Sequence, residues 1–263
     1  MTRMRLLAAI ALTAVIFFSK PVQAQQVKWV CFYGASAPLS TLSKFDLLVF
    51  DSDSHPLLRP LKERNKTVVG YLSVGEVNST RAYFNDVKAQ NLTLQENRNW
   101  PGSFFIDVRN PLWTKRVIEE LVPKILQKGF DGVFLDTVDN APYLEELDRQ
   151  RYRGMAEAMV TLVKAIRQNY PNIKIIVNRG FDILSRLEGS FDMVLGESIV
   201  EEQVRLLQDL KRRRPNVTIL TLDYINPADR NAIIQAYRRQ RANGFNPYVS
   251  TRELNLVFED PTP

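Results

Sequence analysis

The chain has 263 residues, of which 45% are hydrophobic and 24% are charged, and its formal net charge is +6. This is the composition of an ordinary globular protein, and no low-complexity stretch divides it. Its single cysteine, Cys31, excludes an internal disulfide, and with the single histidine, His55, it is too little for a typical zinc site. Gly-x-Ser-x-Gly and Gly-rich phosphate motifs do not occur. Any catalysis must therefore depend largely on carboxylates.

Residues 1–24 have the features of a secretory signal peptide. A positive start at Arg3 and Arg5 precedes an apolar run and a small-residue cleavage site ending at Ala24. The run is shorter than the roughly 20 residues that span a bilayer, so a retained anchor is the less favoured alternative. We expect an exported protein, periplasmic or secreted, whose mature part, residues 25–263, has no stable membrane insertion.

Charge in the mature part is modest. Removing Arg3, Arg5 and Lys20 with the leader lowers the net charge of +6 by three, to +3. Basic clusters at 211–214 and 238–241 suit solvated helix ends, where cations complement the helix dipole. The alternative is a patch for an anionic polymer or a membrane surface. No aromatic residues are interleaved with them, so no nucleic-acid partner is expected.

Short β-rich runs alternate with helical patterns along the chain. Several runs are almost continuously apolar, which is typical of parallel strands covered on both faces. The eight candidate strands cover residues 29–33, 47–51, 67–72, 132–136, 173–178, 193–197, 218–224 and 246–250.

Helix boundaries are marked by capping residues and by glycine. One helix is expected to begin at Asn110-Pro111 and end at Gly129, with a kink at Pro123. Further helices are expected over 142–169 and from Asn226 to Gly244.

Eight strands separated by helices predict a single-domain (β/α)₈ barrel of the TIM type. The alternative is a doubly wound open sheet, but its edge strands would lack the charge or proline that usually protects an edge. An extra strand at 104–107 does not fit the count of eight. We place it in an extended loop after the third barrel strand, on the face where barrels carry their functional sites.

Acidic and polar residues follow the ends of most strands. In a parallel barrel these ends ring one mouth, where barrel enzymes hold their active sites. Paired carboxylates of unlike acidity are what glycoside hydrolysis needs. The strand-end residues are Asp51, Asp53, Glu76, Asp136, Asp139, Asn178, Glu197, Asp223, Tyr224 and Glu253.

Any one of these acids also has an ordinary structural explanation. Asp53 and Asp139 are suited to cap helices, and Asp131 to support the turn before the fourth strand. Asp136 and Glu197 each end an apolar run, which favours a position at the barrel mouth and a role in function.

Five segments in order resemble a known family. They are residues 70–76 (GYLSVGE), 105–113 (FIDVRNPLW), 129–139 (GFDGVFLDTVD), 177–180 (VNRG) and 195–198 (LGES). Together they are similar to the endo-α-1,4-polygalactosaminidase family, glycoside hydrolase family 114, over nearly the whole mature chain.

The resemblance implies a TIM barrel that cleaves α-1,4 bonds in a galactosamine-rich polysaccharide, without a metal or other cofactor. It implies that Asp136 is the nucleophile and Glu197 the acid/base of a retaining mechanism. It also implies a substrate cleft whose expected residues are Asp51, Tyr71, Glu76, Asp139, Asn178, Asp223 and Tyr224. Acidic side chains there would suit a partly deacetylated, cationic amino sugar.

Sugar rings also present apolar faces that aromatic side chains can cover. The candidates for this are Tyr33, Tyr71, Tyr83, Trp100, Trp113, Tyr143, Tyr224 and Tyr248. An alternative function uses the same cleft without catalysis, in a carbohydrate-binding barrel that assists polysaccharide export or assembly. A barrel that acts on an amide or a phosphodiester is a weaker alternative.

Overall fold

The computed structural model describes residues 26–262, so the predicted leader, 1–24, lies outside the described residues. Eleven strands occur in this part of the chain. They are β1 Trp29–Phe32, β2 Leu47–Phe50, β3 Thr67–Ser73, β4 Glu76–Asn78, β5 Thr93–Glu96, β6 Ser103–Ile106, β7 Gly132–Asp136, β8 Lys174–Asn178, β9 Met193–Glu197, β10 Thr218–Tyr224 and β11 Asn246–Ser250.

Helices of four to fifteen residues connect them. They are α1 Leu39–Leu42, α2 Arg59–Lys62, α3 Phe84–Ala89, α4 Pro111–Arg116, α5 Val122–Gln127, α6 Asn140–Leu147, α7 Met155–Asn169, α8 Glu201–Arg213 and α9 Arg230–Ala242. No helix within residues 26–262 is long and apolar enough to cross a membrane.

Eight strands form one parallel sheet in the order β1-β2-β3-β7-β8-β9-β10-β11. The sheet closes where its two ends meet. The Trp29 indole N–H of β1 donates to the Asn246 carbonyl of β11 over 2.8 Å, and the Trp29 and Tyr248 rings pack 5.6 Å apart. The predicted (β/α)₈ barrel is confirmed, and the open-sheet alternative is wrong because β1 and β11 are neighbours.

The barrel strands are buried along almost their whole length, as their apolar sequences predict. Every residue of β1 and β2 is buried, and four of the five residues of β7 are buried. Gly132, which begins β7, has no room for a side chain, since a Cβ there would lie 1.9 Å from the Lys174 carbonyl oxygen of β8. Close approach of these two strands therefore requires glycine at this position.

The helix that begins at Asn110 contains a widened turn before its proline. The Asn110 side chain accepts from the Leu112 amide over 3.0 Å, as expected of an N-cap. Between α4 and α5 the chain forms a π-helical turn, Val117–Leu121, in which the Val122 amide donates to the Val117 carbonyl. Pro123 has no N–H and its ring clashes with a regular preceding turn, so one extra residue in that turn accommodates it.

The single helix expected over 142–169 is wrong, because the chain forms two helices, α6 and α7. The Asp148 carboxylate accepts from the backbone amides of Gln150 and Arg151, which offers the chain a turn instead of a further helical bond. Gly154 then takes a left-handed φ of 87° before α7 begins. The last helix, α9, also begins later than expected, with Asp229 rather than Asn226 as its cap.

The extra strand expected at 104–107 is present as β6, at 103–106, between β3 and β7. It is the central strand of a small antiparallel sheet in the order β4-β6-β5, which the sequence did not predict. We call residues 76–106 the insertion sheet. It begins directly after β3, at the carboxyl-terminal mouth of the barrel, and so lies beside the candidate site.

Candidate active site

Four adjacent barrel strands end in polar residues that meet at the mouth: Asp136 on β7, Asn178 on β8, Glu197 on β9 and Tyr224 on β10. The Asn178 amide Nδ2 donates to Asp136 Oδ1 over 2.8 Å and to Glu197 Oε1 over 2.6 Å. The two acceptor oxygens can therefore lie no further apart than the sum of these lengths, about 5.4 Å. One side chain thus links the two carboxylates across the mouth.

Each carboxylate accepts a second hydrogen bond from a tyrosine. The Tyr71 hydroxyl donates to Asp136 Oδ2 over 2.8 Å, and the Tyr224 hydroxyl donates to Glu197 Oε2 over 2.9 Å. Burial raises the pKa of both tyrosines, and the neighbouring Asp136 and Glu197 raise it further. Both hydroxyls therefore keep their protons and act as donors at neutral pH.

Glu197 is a carboxyl with a raised pKa, which is the kind that general-acid catalysis uses. Burial raises its pKa above the usual value, and the nearby Asp136 raises it further. Hydrogen bonds from Tyr224 and Asn178 and the charge of Arg179 oppose this shift. A carboxyl with a raised pKa retains its proton to higher pH, where it can donate it to a leaving group.

The backbone turns sharply directly after each of the three central residues. Thr137, Arg179 and Ser198 follow Asp136, Asn178 and Glu197 and have left-handed φ angles of 59°, 56° and 44°. This conformation is unfavourable for residues other than glycine, above all for a β-branched threonine. The Thr137 hydroxyl accepts from the Gly75 amide over 2.8 Å and so holds the first of these turns to the loop after β3. Unfavourable backbone of this kind concentrates at functional sites.

Arg81, on the insertion sheet, contacts the Tyr71 ring and two nearby aspartates. Its guanidinium bonds to both oxygens of Asp51, over 2.6 and 3.2 Å, and to Asp53 over 2.9 Å. It also lies over the Tyr71 ring, 5.6 Å from the centroid. The arginine lowers the pKa of Asp51, against the effect of burial, which raises it. Asp51 is thus ion-paired with the arginine that lies over Tyr71, and is not an unpaired acid.

A second arginine has the corresponding position on the other side of the cluster. Arg252, in the loop after β11, lies over the Tyr224 ring, 5.8 Å from its centroid. Neither Arg81 nor Arg252 was predicted as a site residue. Arg81 is 30 residues in sequence from Asp51 and Arg252 is 28 residues from Tyr224, and no local motif marks either arginine.

Glu76 and Asp139 lie on the insertion side of the mouth. Glu76 is buried, and its Oε1 accepts from the amide groups of Asn97 and Asn140, each over 2.6 Å. Asp139 does not cap α6 with its side chain but forms an ion pair with Arg179 at 2.9 Å. Burial raises the pKa of both acids, while the amide donors oppose the shift at Glu76 and Arg179 opposes it at Asp139.

Asp223 is not brought together with the other expected site residues. Alternate residues of a strand face opposite sides, so Asp223 points outwards while Tyr224 faces the mouth. Its carboxylate contacts Gln240 over 3.3 Å and Arg239 over 3.4 Å, both on α9. Its position at the end of β10 had suggested a place at the mouth. Because side chains alternate between the two faces of a strand, Asp223 instead lies against the outer helix α9.

The other reactive residue types lie outside this cluster of hydrogen bonds. Burial raises the pKa of the Cys31 thiol far above its usual range, so it stays protonated. His55 packs on Phe130 with ring centroids 5.0 Å apart, and its Nδ1 contacts the Pro56 carbonyl. No group of three His, Cys, Asp or Glu side chains that could hold a metal ion occurs in residues 26–262.

Comparisons with known proteins agree with this architecture. The glycoside hydrolase domain of PelA from Pseudomonas aeruginosa superposes with a TM-score of 0.77 at 26% identity, covering 90% of this chain and 99% of that domain. Ega3 from Aspergillus fumigatus, solved in complex with galactosamine, shares the fold with a TM-score of 0.68 at 16% identity, covering 91% of this chain and 97% of that one.

A protein of Methanocaldococcus jannaschii described as uncharacterized is 32% identical over an alignment of 253 positions, which covers 81% of this chain and 72% of that protein. The profile of glycoside-hydrolase family GH114 matches residues 16–262. The chain belongs to family GH114 and is a glycoside hydrolase.

Proposed function

We propose that the mature chain is an exported hydrolase that cleaves α-1,4 bonds in a galactosamine-rich, partly deacetylated polysaccharide, with Asp136 and Glu197 as its catalytic pair. The observation that carries this proposal is the pair of carboxylates bridged by Asn178. Membership of GH114 and the galactosamine bound by Ega3, whose fold this chain shares, support the choice of sugar.

The spacing of the two acids favours retention of configuration. Retaining enzymes hold their carboxyl groups about 5–5.5 Å apart, whereas inverting enzymes leave roughly 6.5–9.5 Å for a water molecule. The limit of about 5.4 Å set by the two Asn178 bonds fits the retaining arrangement. Little room remains for a water molecule between Asp136 and the sugar.

In the first step, an Asp136 oxygen forms a bond to the anomeric carbon while the bond from that carbon to the glycosidic oxygen breaks. Glu197 gives its proton to the departing oxygen, so the leaving chain is released as an alcohol. The raised pKa of Glu197 suits this role. Bonds from Tyr71 and Asn178 orient the attacking carboxylate.

In the second step, water replaces Asp136 at the anomeric carbon. The Glu197 carboxylate takes a proton from the water, whose oxygen attacks the anomeric carbon and releases the Asp136 carboxylate. Both residues return to their starting states, and the net reaction adds one water across one glycosidic bond. Glu76, whose partners Asn97 and Asn140 are neutral amides, provides acidic character beside the mouth that suits the ammonium group of a deacetylated sugar.

The test is turnover of partly deacetylated α-1,4-galactosamine polymer, with products identified by mass spectrometry. We expect new oligosaccharides from the native chain and none from Asp136→Asn or Glu197→Gln. Glu119→Gln, at an exposed position of the π-helical turn, is the matched control and should retain activity. Proton NMR of the first-formed product should show the substrate's anomeric configuration if the reaction is retaining.

Two other outcomes would contradict the proposal. Polymer binding without products at any pH would indicate the alternative, a carbohydrate-binding barrel that assists export or assembly. Neither binding nor products would mean that the substrate is a different sugar. Export is tested separately by sequencing the amino terminus of the exported protein, which we expect to begin at Gln25.

A further inference from the structure

Two large aromatic side chains are exposed on the insertion side of the mouth. Trp100, in the turn between β5 and β6, is 58% exposed, and Tyr143, on α6, is 52% exposed. An exposed indole and an exposed phenol leave apolar surface in water, which folding alone does not require. The cluster around Asp136 and Glu197 contains neither residue.

Glu76 connects the two segments that carry these aromatics. Its Oε1 accepts from Asn97 and Asn140, and Trp100 and Tyr143 each follow one of these asparagines by three residues. The two segments therefore meet at one buried carboxylate. Trp100 and Tyr143 are therefore each carried by a segment that is anchored at this carboxylate.

Both aromatic residues are held by defined local contacts. The Trp100 amide donates to the Asn97 carbonyl and the Trp100 carbonyl accepts from the Ser103 amide, both over 3.0 Å, so the backbone of the turn is set. The Tyr143 ring packs against Phe105 with centroids 6.4 Å apart. A Tyr143 ring held in this way loses little conformational entropy when a ligand covers it.

We propose that Trp100 and Tyr143 form a second sugar-binding surface, the aromatic shelf, which takes a sugar unit of the same polysaccharide away from the bond that is cleaved. This inference rests on the proposed function. The shelf is continuous with the mouth, because Tyr143 lies one helical turn beyond Asp139 and its amide donates to the Asp139 carbonyl. A polymer held between the catalytic carboxylates can thus extend over it.

The charge around the shelf also fits a cationic amino sugar. Glu76 contacts both segments that carry the shelf, and its partners Asn97 and Asn140 are neutral amides. An ammonium group on the sugar is attracted to this acid and to the faces of tryptophan and tyrosine rings. Apolar sugar faces cover the same rings. Polymer recognition at the shelf therefore combines apolar contact with charge.

The shelf should act on binding of long chains and leave the chemistry unchanged. We expect Tyr143→Ala and Trp100→Ala each to raise KM for the polymer on the order of tenfold, while kcat stays within about twofold. An oligosaccharide too short to reach the shelf should show no change in KM. Tyr143→Phe keeps the ring and should retain a nearly native KM.

Tryptophan fluorescence gives a second readout that does not depend on turnover. The sequence has three tryptophans; Trp29 and Trp113 are 1% and 0% exposed, so acrylamide should quench mainly Trp100. In the Glu197→Gln background, added polymer should protect this emission from acrylamide. Tyr143→Ala should raise the polymer concentration needed for half of the full protection about tenfold. Leu57→Ala, which changes an exposed apolar residue outside the shelf, should leave that concentration unchanged.

The outcomes separate this inference from the proposed function. If the native chain cleaves the polymer but its Trp100 emission is unprotected and KM is unchanged in both alanine variants, the shelf is wrong and the hydrolase proposal stands. If the chain neither binds nor cleaves the polymer, both are wrong. Protection that Tyr143→Ala weakens supports the shelf whether or not cleavage is detected.

Discussion

Asp136 and Glu197 accept hydrogen bonds from the same nitrogen, the amide Nδ2 of Asn178, over 2.8 and 2.6 Å. Two carboxylates that share one donor are held close together; burial raises the pKa of Glu197, and the nearby Asp136 raises it further. A retaining hydrolase needs a short separation between its carboxyl groups and an acid that keeps its proton.

Asn178→Ala should lower kcat/KM on the order of 100-fold, because both carboxylates lose a hydrogen bond to a charged acceptor. The fold should persist, as judged by circular dichroism, since the change removes a short side chain at the end of β8. Asn172→Ala, in the exposed turn before that strand, is the control. A loss of less than threefold in Asn178→Ala would contradict the role given to the shared donor.

Tyr224→Phe should move the alkaline limb of the pH–rate profile upwards by about one pH unit. The Tyr224 hydroxyl stabilises ionised Glu197, so its removal raises the pKa of Glu197, and the acid stays protonated to higher pH. The measurement is kcat/KM between pH 4 and 10. Tyr170→Phe, whose hydroxyl contacts the Ile118 carbonyl far from the mouth, should leave the limb in place. A downward shift in Tyr224→Phe would refute this assignment.

Glu197→Gln should abolish turnover and yet raise the melting temperature, by about 2–4 °C at neutral pH. The pKa of Glu197 is raised in the folded chain, so the folded state binds its proton more tightly than the unfolded state. Ionising Glu197 therefore lowers stability progressively as pH rises from the unfolded pKa through the folded pKa. The gain from glutamine should be small near pH 4 and larger at pH 8. Equal gains at both values would count against a charge effect.

Arg81→Met should destabilise the fold by about 3 kcal/mol, because it leaves Asp51 mostly buried without its partner. The side chains of Arg81 and Asp51 are only 20% and 18% exposed. Adding Asp51→Asn removes the unpaired charge and should recover most of the loss, as measured by urea unfolding. Asp53 keeps a partner in both variants, since it also contacts Lys128 over 2.9 Å. If the double variant is no more stable than Arg81→Met, the loss comes from packing.

The barrel and its central site could be predicted from local patterns. Short β-rich runs identified all eight barrel strands. Several of them are almost continuously apolar, because a strand covered on both faces has no exposed side that needs polar residues. The residues that end β7, β8 and β9 followed directly, since parallel strands place their carboxyl ends at one mouth. The break between α6 and α7 was missed, because Asp148 and Gly154 stop the helix through a local turn in an otherwise helical pattern.

Sequence alone predicted that any chemistry would depend on carboxylates, placed Asp136 and Glu197 at strand ends, and carried the resemblance to GH114. Tertiary structure alone decided how the remaining polar residues are used. Asp51 is paired with Arg81 and Asp223 faces α9, because ion pairs and strand faces depend on neighbours distant in sequence. Arg81 is 30 residues from Asp51 and Gln240 is 17 residues from Asp223, so these partners meet only in the folded barrel, and no local pattern encodes the pairing.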